Sequence, residues 1–274
     1  MRDAYERLRS PENLWAAWVK VSANRGAPGA DGISVEQFAG EVIDHFQAIG
    51  RELADEAYTF GPPVRFTVQK SSGGRRELVV PCVRDRVVLT TAARVLQDHL
   101  DPQFSPYSFG YRPGRSVGDA LLAAERFIRQ GRRWIVDADI SACFDSIHHA
   151  ILLDALSAAV DDHRFLRFVS QALQVFAPPD TEGVGIPQGS PLSPVLCNLY
   201  LDIFDSAAAH GGYPVVRYAD DFLLFERSRQ QASSALRWCT HLLSERLRLK
   251  LNTQKTRVVG PGQPLLFLGG ELIV

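Results

Sequence analysis

Tyr218-Ala219-Asp220-Asp221 constrains this chain more than any other stretch. Val215-Val216 leads into it and Phe222-Leu223-Leu224-Phe225 follows. Two apolar, strand-like runs are therefore joined by a turn that carries two carboxylates. In a straight strand neighbouring side chains point to opposite faces. A tight turn breaks that alternation, so both carboxylates can approach one point. Asp is also favoured in turns for its own backbone chemistry. Two anions held beside an apolar sheet repel each other unless a cation binds or one of them takes a proton.

A second acidic segment favours the cation. Trp134-Ile135-Val136-Asp137-Ala138-Asp139-Ile140 is strand-like, with Asp137 and Asp139 on one face by the two-residue period. As a neighbouring strand of the same sheet it brings a third carboxylate to the turn. Three carboxylates from two strands can hold two Mg²⁺ ions about 4 Å apart, with phosphate oxygens completing the shells.

Charge is unevenly placed. The formal net charge of −1 argues against a polyanion binder. Yet residues 61–136 carry 13 Lys and Arg against 6 Asp and Glu. Part of that block is a solvated face, and the rest lines a path for phosphates. At 274 residues the chain can bury a core and divide into two parts. No apolar run reaches membrane-spanning length and the N-terminus lacks a signal-peptide core, so no membrane association is expected. The four cysteines are far apart and form no C-x-x-C pair, which disfavours a zinc site and fits a reducing cytoplasm.

Local signals predict an irregular alternation of helices and strands, an α+β pattern. Ser10-Pro11 starts a helix that ends at Gly26. Ser34 with Gln37 forms a capping box. Residues 60–70 and 76–80 form a hairpin around Ser71-Ser72-Gly73-Gly74. Helices follow over 84–100, from Ser116, over 147–160 and 163–176, from Ser190-Pro191 to about 209, and over 230–248. Strands at 257–259 and 265–268 close the chain. His148-His149 lacks ligand spacing and reads as a helix start.

Three motifs now stand in order: Asp139-Ile140-Ser141-Ala142-Cys143-Phe144-Asp145, Ile186-Pro187-Gln188-Gly189-Ser190-Pro191-Leu192-Ser193-Pro194, and Tyr218-Ala219-Asp220-Asp221. In type, order and spacing the chain resembles reverse transcriptases of the bacterial group II intron-like class, from about residue 13 to its end. The resemblance implies the right-hand polymerase architecture. Fingers with an N-terminal helical extension span 1–115 and the palm spans 116–274, with the thumb apparently absent. It implies an RNA-directed DNA polymerase that adds deoxynucleotides to a primer 3′-hydroxyl by a two-metal mechanism, using two Mg²⁺ with Mn²⁺ as a substitute. Metal ligands would be Asp139, Asp220, Asp221 and the carbonyl of Ile140. Asp137 is read as supporting or structural.

The same resemblance assigns further roles. Phe144 would sit under the incoming sugar and block a 2′-hydroxyl. Lys70 and Arg76 would grip the triphosphate, and Gln188 and Gly189 would contact nucleotide and template base. Arg112 and Arg115 would meet nucleic acid. Lys255, in Leu251-Asn252-Thr253-Gln254-Lys255-Thr256, would protonate pyrophosphate. Two departures stand out: Gln69 replaces a frequent Pro, and Gly270 stands where the primer-gripping motif has an aromatic. Expected partners are an RNA template, a DNA or RNA primer and deoxynucleoside triphosphates. The wording around Gly73–Pro81 and Val136–Ile140 looks closer to the CRISPR-associated branch, which implies an adaptation integrase as partner and spacer acquisition from RNA. Another protein supplying the thumb is the alternative partner. The rival readings are a stand-alone antiviral-defence or domesticated reverse transcriptase, and a palm-fold nucleic-acid-binding subunit with weak catalysis.

Overall fold

A computed structural model describes residues 1–69, 75–179 and 181–274, with helices and strands interleaved as an α+β chain requires. In chain order the first part runs α1 (Ala4–Arg9), α2 (Pro11–Ala23), α3 (Val35–Gly40), α4 (Val42–Ala54), β1 (Val64–Gln69), β2 (Arg75–Val80), α5 (Val83–Leu100) and α6 (Val117–Arg129). Then come β3 (Trp134–Asp139), α7 (His149–Ala159), α8 (His163–Phe176) and α9 (Ser193–His210). The chain closes with β4 (Val215–Tyr218), β5 (Asp221–Glu226), α10 (Arg229–Leu247), β6 (Arg257–Val259), β7 (Pro264–Phe267) and β8 (Gly270–Ile273). Two compact units emerge: Met1–Pro102 with His149–Leu196, and Gln103–His148 with Cys197–Val274. Among the described residues, no helix is long and apolar enough to cross a membrane.

In the first unit, helix starts follow the sequence signals. Ser10 Oγ accepts from the Asn13 amide with Pro11 at the first helical position, and Ser34 and Gln37 make both bonds of the capping box. Helix α2 stops at Ala23, short of Gly26, where Arg25 takes a left-handed φ of 44°. Strands β1 and β2 pair antiparallel, Val64 opposite Val80 and Gln69 opposite Arg75. The expected tip, Lys70 to Gly74, lies outside the described residues. An aromatic group of Tyr58, Phe60, Phe168 and Phe176 packs beside them.

Within that unit Asp85 is fully buried and accepts from Tyr58 Oη at 2.7 Å and the Gly61 amide at 3.0 Å. Burial outweighs those bonds and pushes its carboxyl from 3.8 up to about 6. Below pH 4 the folded and unfolded states are both protonated at this site. Between pH 4 and 6 the unfolded chain has ionised while the folded one keeps its proton, so rising pH favours unfolding. Above pH 6 the penalty is constant, at about 3 kcal/mol. Urea unfolding of wild type and Asp85→Asn should therefore diverge in the variant's favour as pH rises from 4 to 6.5. Parallel stability curves over that window would refute the assignment.

The second unit is built on a four-stranded sheet of order β4-β5-β3-β6, with every neighbouring pair antiparallel. Phe222 to Phe225 are all fully buried because both faces of the sheet are covered. Leu223 and Phe225 join a core with Ala120 and Ala124 of α6 and with Leu265, Phe267 and Leu272 of β7 and β8. Phe222 lies on the other side against Phe204 of α9, ring centres 4.8 Å apart. Strand β8 is an addition to the sequence reading. Leu268 (φ 52°) and Gly269 (φ 80°) make a two-residue turn of the mirror-image kind that suits a tight hairpin. A Cβ on Gly270 would stand 2.7 Å from Leu121 Cδ1, so an aromatic there would collide with α6.

Helix α9 begins at Ser193, not at Ser190-Pro191. Ser190 Oγ accepts from the Leu192 amide and Ser193 Oγ donates to the Pro187 carbonyl at 2.7 Å. Those bonds fold Pro187–Ser193 into a turn that precedes the helix.

Candidate active site

Strand pairing places two of the three acidic residues opposite each other, and the adjoining turn carries the third. Asp139 ends β3 directly opposite Asp221, the first residue of β5, and Asp221 also pairs with Tyr218 of β4. The turn between β4 and β5 is Ala219-Asp220, with Ala219 at φ 56°. An alanine is rarely left-handed, so the alternation of faces is broken here by a strained residue. The Ile140 amide donates to the Asp220 carbonyl at 3.2 Å, which ties the turn to the strand bearing Asp139.

The electrostatics are those of crowded anions. The Asp221 carboxyl is pushed well above the usual carboxylate range, first by burial, then by Asp220 and by a hydrogen bond with Asp139. Asp139 answers with two donors: Lys255 Nζ at 3.0 Å from Oδ1 and Asn252 Nδ2 at 3.1 Å from Oδ2. The Lys255 ammonium is pushed up in turn, chiefly by its bond to Asp139. Backbone bonds hold the same partners in register, from the Asn252 amide to the Asp139 carbonyl and from the Ser141 amide to the Lys250 carbonyl. These flank Ile140, whose own amide turns the other way, to the Asp220 carbonyl.

The donor set suits a hard divalent cation, being all oxygen and short of positive charge. Among the described residues, however, no three His, Cys, Asp or Glu side chains are grouped closely enough to hold an ion unaided. Asp139 spends both oxygens on Lys255 and Asn252, so an ion here must compete with that ammonium.

Neighbouring residues take varied places. Asp137 lies one step back on β3 and bonds Arg257 Nε of β6 at 3.1 Å, a cross-strand pair. Phe144 starts a short 3₁₀ turn after Ala142, which has a φ of 45°, and its ring lies 6.1 Å from that of Tyr111. Arg112 is 6% exposed as a residue, and its guanidinium donates to the carbonyls of Ser105 and Ser108 within its own loop. Arg115 is partly exposed and donates to the Pro106 carbonyl over the Phe109 ring.

Other expected site residues belong to the first unit. Arg76 is exposed on β2, opposite Val68. Lys70 lies outside the described residues. The Gln188 carbonyl accepts from the Val79 amide at 2.7 Å. Gly189, at φ 111°, packs so tightly that a Cβ would stand 2.3 Å from the Val79 carbonyl oxygen. His149 begins α7, and its Nε2 lies 2.7 Å from the Gly185 carbonyl.

Sequence reasoning passed over two parts of this site. Asn252 was only a letter in the Lys255 motif. Arg217, one residue before Tyr218, is the largest fully buried side chain among the described residues. A charge inside an otherwise apolar strand was the available signal for it.

Residues 68–272 match the model of the family described as reverse transcriptase (RNA-dependent DNA polymerase). The chain belongs to the reverse transcriptase family. Relatives of this reverse transcriptase include protein YkfC of Escherichia coli K12, 28% identical over 97% of this chain and 81% of YkfC. The group II intron-encoded protein LtrA of Lactococcus lactis is 30% identical over 73% of this chain, but the match spans only 34% of LtrA. Among solved structures, a chain of a partial Cas6-RT-Cas1–Cas2 complex is similar at 24% identity and a TM-score of 0.51, covering 88% of this reverse transcriptase and 42% of that chain. That likeness bears on the fold.

Proposed function

We propose that this chain adds deoxynucleotides to a primer 3′-hydroxyl on an RNA template, with Asp139, Asp220, Asp221 and the Ile140 carbonyl holding two Mg²⁺ ions. One observation carries the reading: Asp139 pairs directly opposite Asp221, beside a turn that adds Asp220. When bound, the ions supply Lewis-acid charge that activates the attacking hydroxyl and neutralises the departing pyrophosphate. The chain's own work is positional. Three carboxylates on two paired strands keep fixed spacing because backbone hydrogen bonds set it. Lys255 balances the charge of Asp139, and its ammonium would be the acid for the leaving group once Asp139 served as a ligand. The roles of Lys70, Arg76, Gln188 and Gly189 toward the nucleotide, and of Arg115 toward nucleic acid, rest on the family resemblance.

Phe144 selects the sugar. A ring beside the 2′ position excludes a hydroxyl by volume, so Phe144→Ala should lower discrimination against ribonucleotides at least about tenfold. Competition between deoxy- and ribonucleotides in single-nucleotide extension measures this, and unchanged selectivity would remove the role.

The pathway reading is spacer acquisition from RNA beside an adaptation integrase, supported by the likeness to a chain from a Cas6-RT-Cas1–Cas2 complex. A palm-fold subunit with weak turnover is the second reading, favoured by the closed state of Asp139, whose two oxygens are both engaged. Primer extension on an RNA template with Mg²⁺ and deoxynucleotides, with and without an integrase partner, separates them. Templated extension supports the polymerase, whereas nucleic-acid binding with no extension under either condition supports the subunit.

A further inference from the structure

Behind the catalytic turn lies a buried polar network that the proposed chemistry does not use. Arg217 and Asn198 are fully buried and Asp205 nearly so. Arg217 Nε and Nη2 donate to both oxygens of Asp205, at 2.6–3.0 Å. Its Nη1 forks away, donating to the Ala219 carbonyl at 2.9 Å and to Asn198 Oδ1 at 3.1 Å. Asn198 Nδ2 donates in turn to the Gly110 carbonyl at 2.9 Å. Gly110 then closes the ring by contact, since a Cβ there would stand 2.3 Å from the Ala219 amide nitrogen.

We propose that Arg217 and Asn198 are positioning residues of this reverse transcriptase: the guanidinium, locked by Asp205, draws the Ala219 carbonyl inward and fixes where Asp220 and Asp221 present their carboxylates. The inference rests on the reading of those aspartates as metal ligands. Three features carry it. Arg217 sends its fork to the one carbonyl that lies between Tyr218 and the acidic pair. Ala219 holds a left-handed φ of 56°, which an L residue keeps only when its surroundings over-determine it. The backbone is anchored from the same side, with the Arg217 amide donating to the Tyr107 carbonyl and the Phe109 amide donating to the Arg217 carbonyl, both at 2.9 Å. Adjacent carboxylates repel, and a metal site tolerates about 0.5 Å of error in its ligands. A rigid polar brace answers both demands where apolar packing, being non-directional, would not.

Asn198→Ala tests this, because the Arg217–Asp205 pair survives and the fold with it. The first readout needs no metal: amide hydrogen exchange at Ile140, which donates to the Asp220 carbonyl, against Ser141, which donates to Lys250. Ile140 should exchange at least about tenfold faster in the variant, the worth of one hydrogen bond, with Ser141 unchanged. The second readout is the Mg²⁺ concentration for half-maximal primer extension, which should rise about tenfold with primer–template affinity unchanged. Gly110→Ala pushes on the turn from the other side with Asn198 intact and should give the same pattern. Wild-type protection of Ile140 in both variants overturns the proposal, as does equal loss at Ile140 and Ser141, which marks general loosening. If wild type shows no Mg²⁺-dependent extension, the catalytic reading falls while the exchange contrast still decides the brace.

Discussion

Asp220→Asn should slow nucleotide addition about 10³-fold, a loss of about 4 kcal/mol of transition-state stabilisation. The substitution is nearly isosteric and leaves the backbone of the turn alone, because the bond that ties Asp220 to Ile140 is made by its carbonyl. What it removes is charge. A neutral amide oxygen is a poorer ligand for a hard cation, and the cation is what would neutralise the departing pyrophosphate. Stability should not suffer. The Asp220 carboxylate is one reason Asp221 resists ionisation, so the variant should hold Asp221 as a carboxylate more readily. Single-turnover extension with matched protein folding measures the effect. Near-normal rates in a folded variant would end the assignment of Asp220 as a ligand.

Arg217→Met should cost about 3–5 kcal/mol of stability, the largest folding effect expected from a single side chain here. Arg217 is fully buried, and its pair with Asp205 is made by three donor–acceptor contacts at 2.6–3.0 Å. Methionine fills similar space but leaves the Asp205 carboxylate buried without a counter-charge. Replacing both members, Arg217→Met with Asp205→Leu, should recover most of the loss, because two apolar groups carry no unpaired charge. Urea unfolding of the two single variants and the double variant gives the coupling. Additive losses would mean that the pair does not act as a unit.

How much of this was legible from residues alone varies by physical cause. The β4–β5 hairpin and its partner β3 were readable because apolar runs flank acidic turns, and a strand's period places Asp137 and Asp139 on one face. The capping box at Ser34 and the helix start at Ser116 were equally legible, each marked by a local bond between residues three apart. Phe267-Leu268-Gly269-Gly270 resembles a primer-gripping hairpin, but its second strand, β8, carries too short a pattern to be read as an element; the turn is made by Leu268 and Gly269 at positive φ. The start of α9 was set two residues early because Ser190-Pro191 imitates a cap, while the Ser190 hydroxyl serves a turn instead.

Site residues divide along the same line. The aspartates stand out in the sequence because the chemistry proposed for them is carried by residue type and spacing. Arg112 was read as a nucleic-acid contact because Gly110–Ser116 resembles a fingers segment of the family. Nothing local says that its guanidinium donates to the carbonyls of Ser105 and Ser108. Asn252 and Asn198 were invisible for a related reason. Each satisfies a group far away in sequence, Asp139 in one case and Arg217 with Gly110 in the other. Such pairings are products of tertiary structure, and a single chain read in one dimension does not display them.

The most direct test is a crystal grown with Mn²⁺, primer–template and a non-hydrolysable deoxynucleotide, examined by anomalous scattering. The account predicts manganese in contact with carboxylate oxygens of Asp139 and of the Asp220-Asp221 turn, with Lys255 Nζ displaced from Asp139. Manganese bound elsewhere, with Lys255 still seated on Asp139 beside a correctly bound nucleotide, would contradict it.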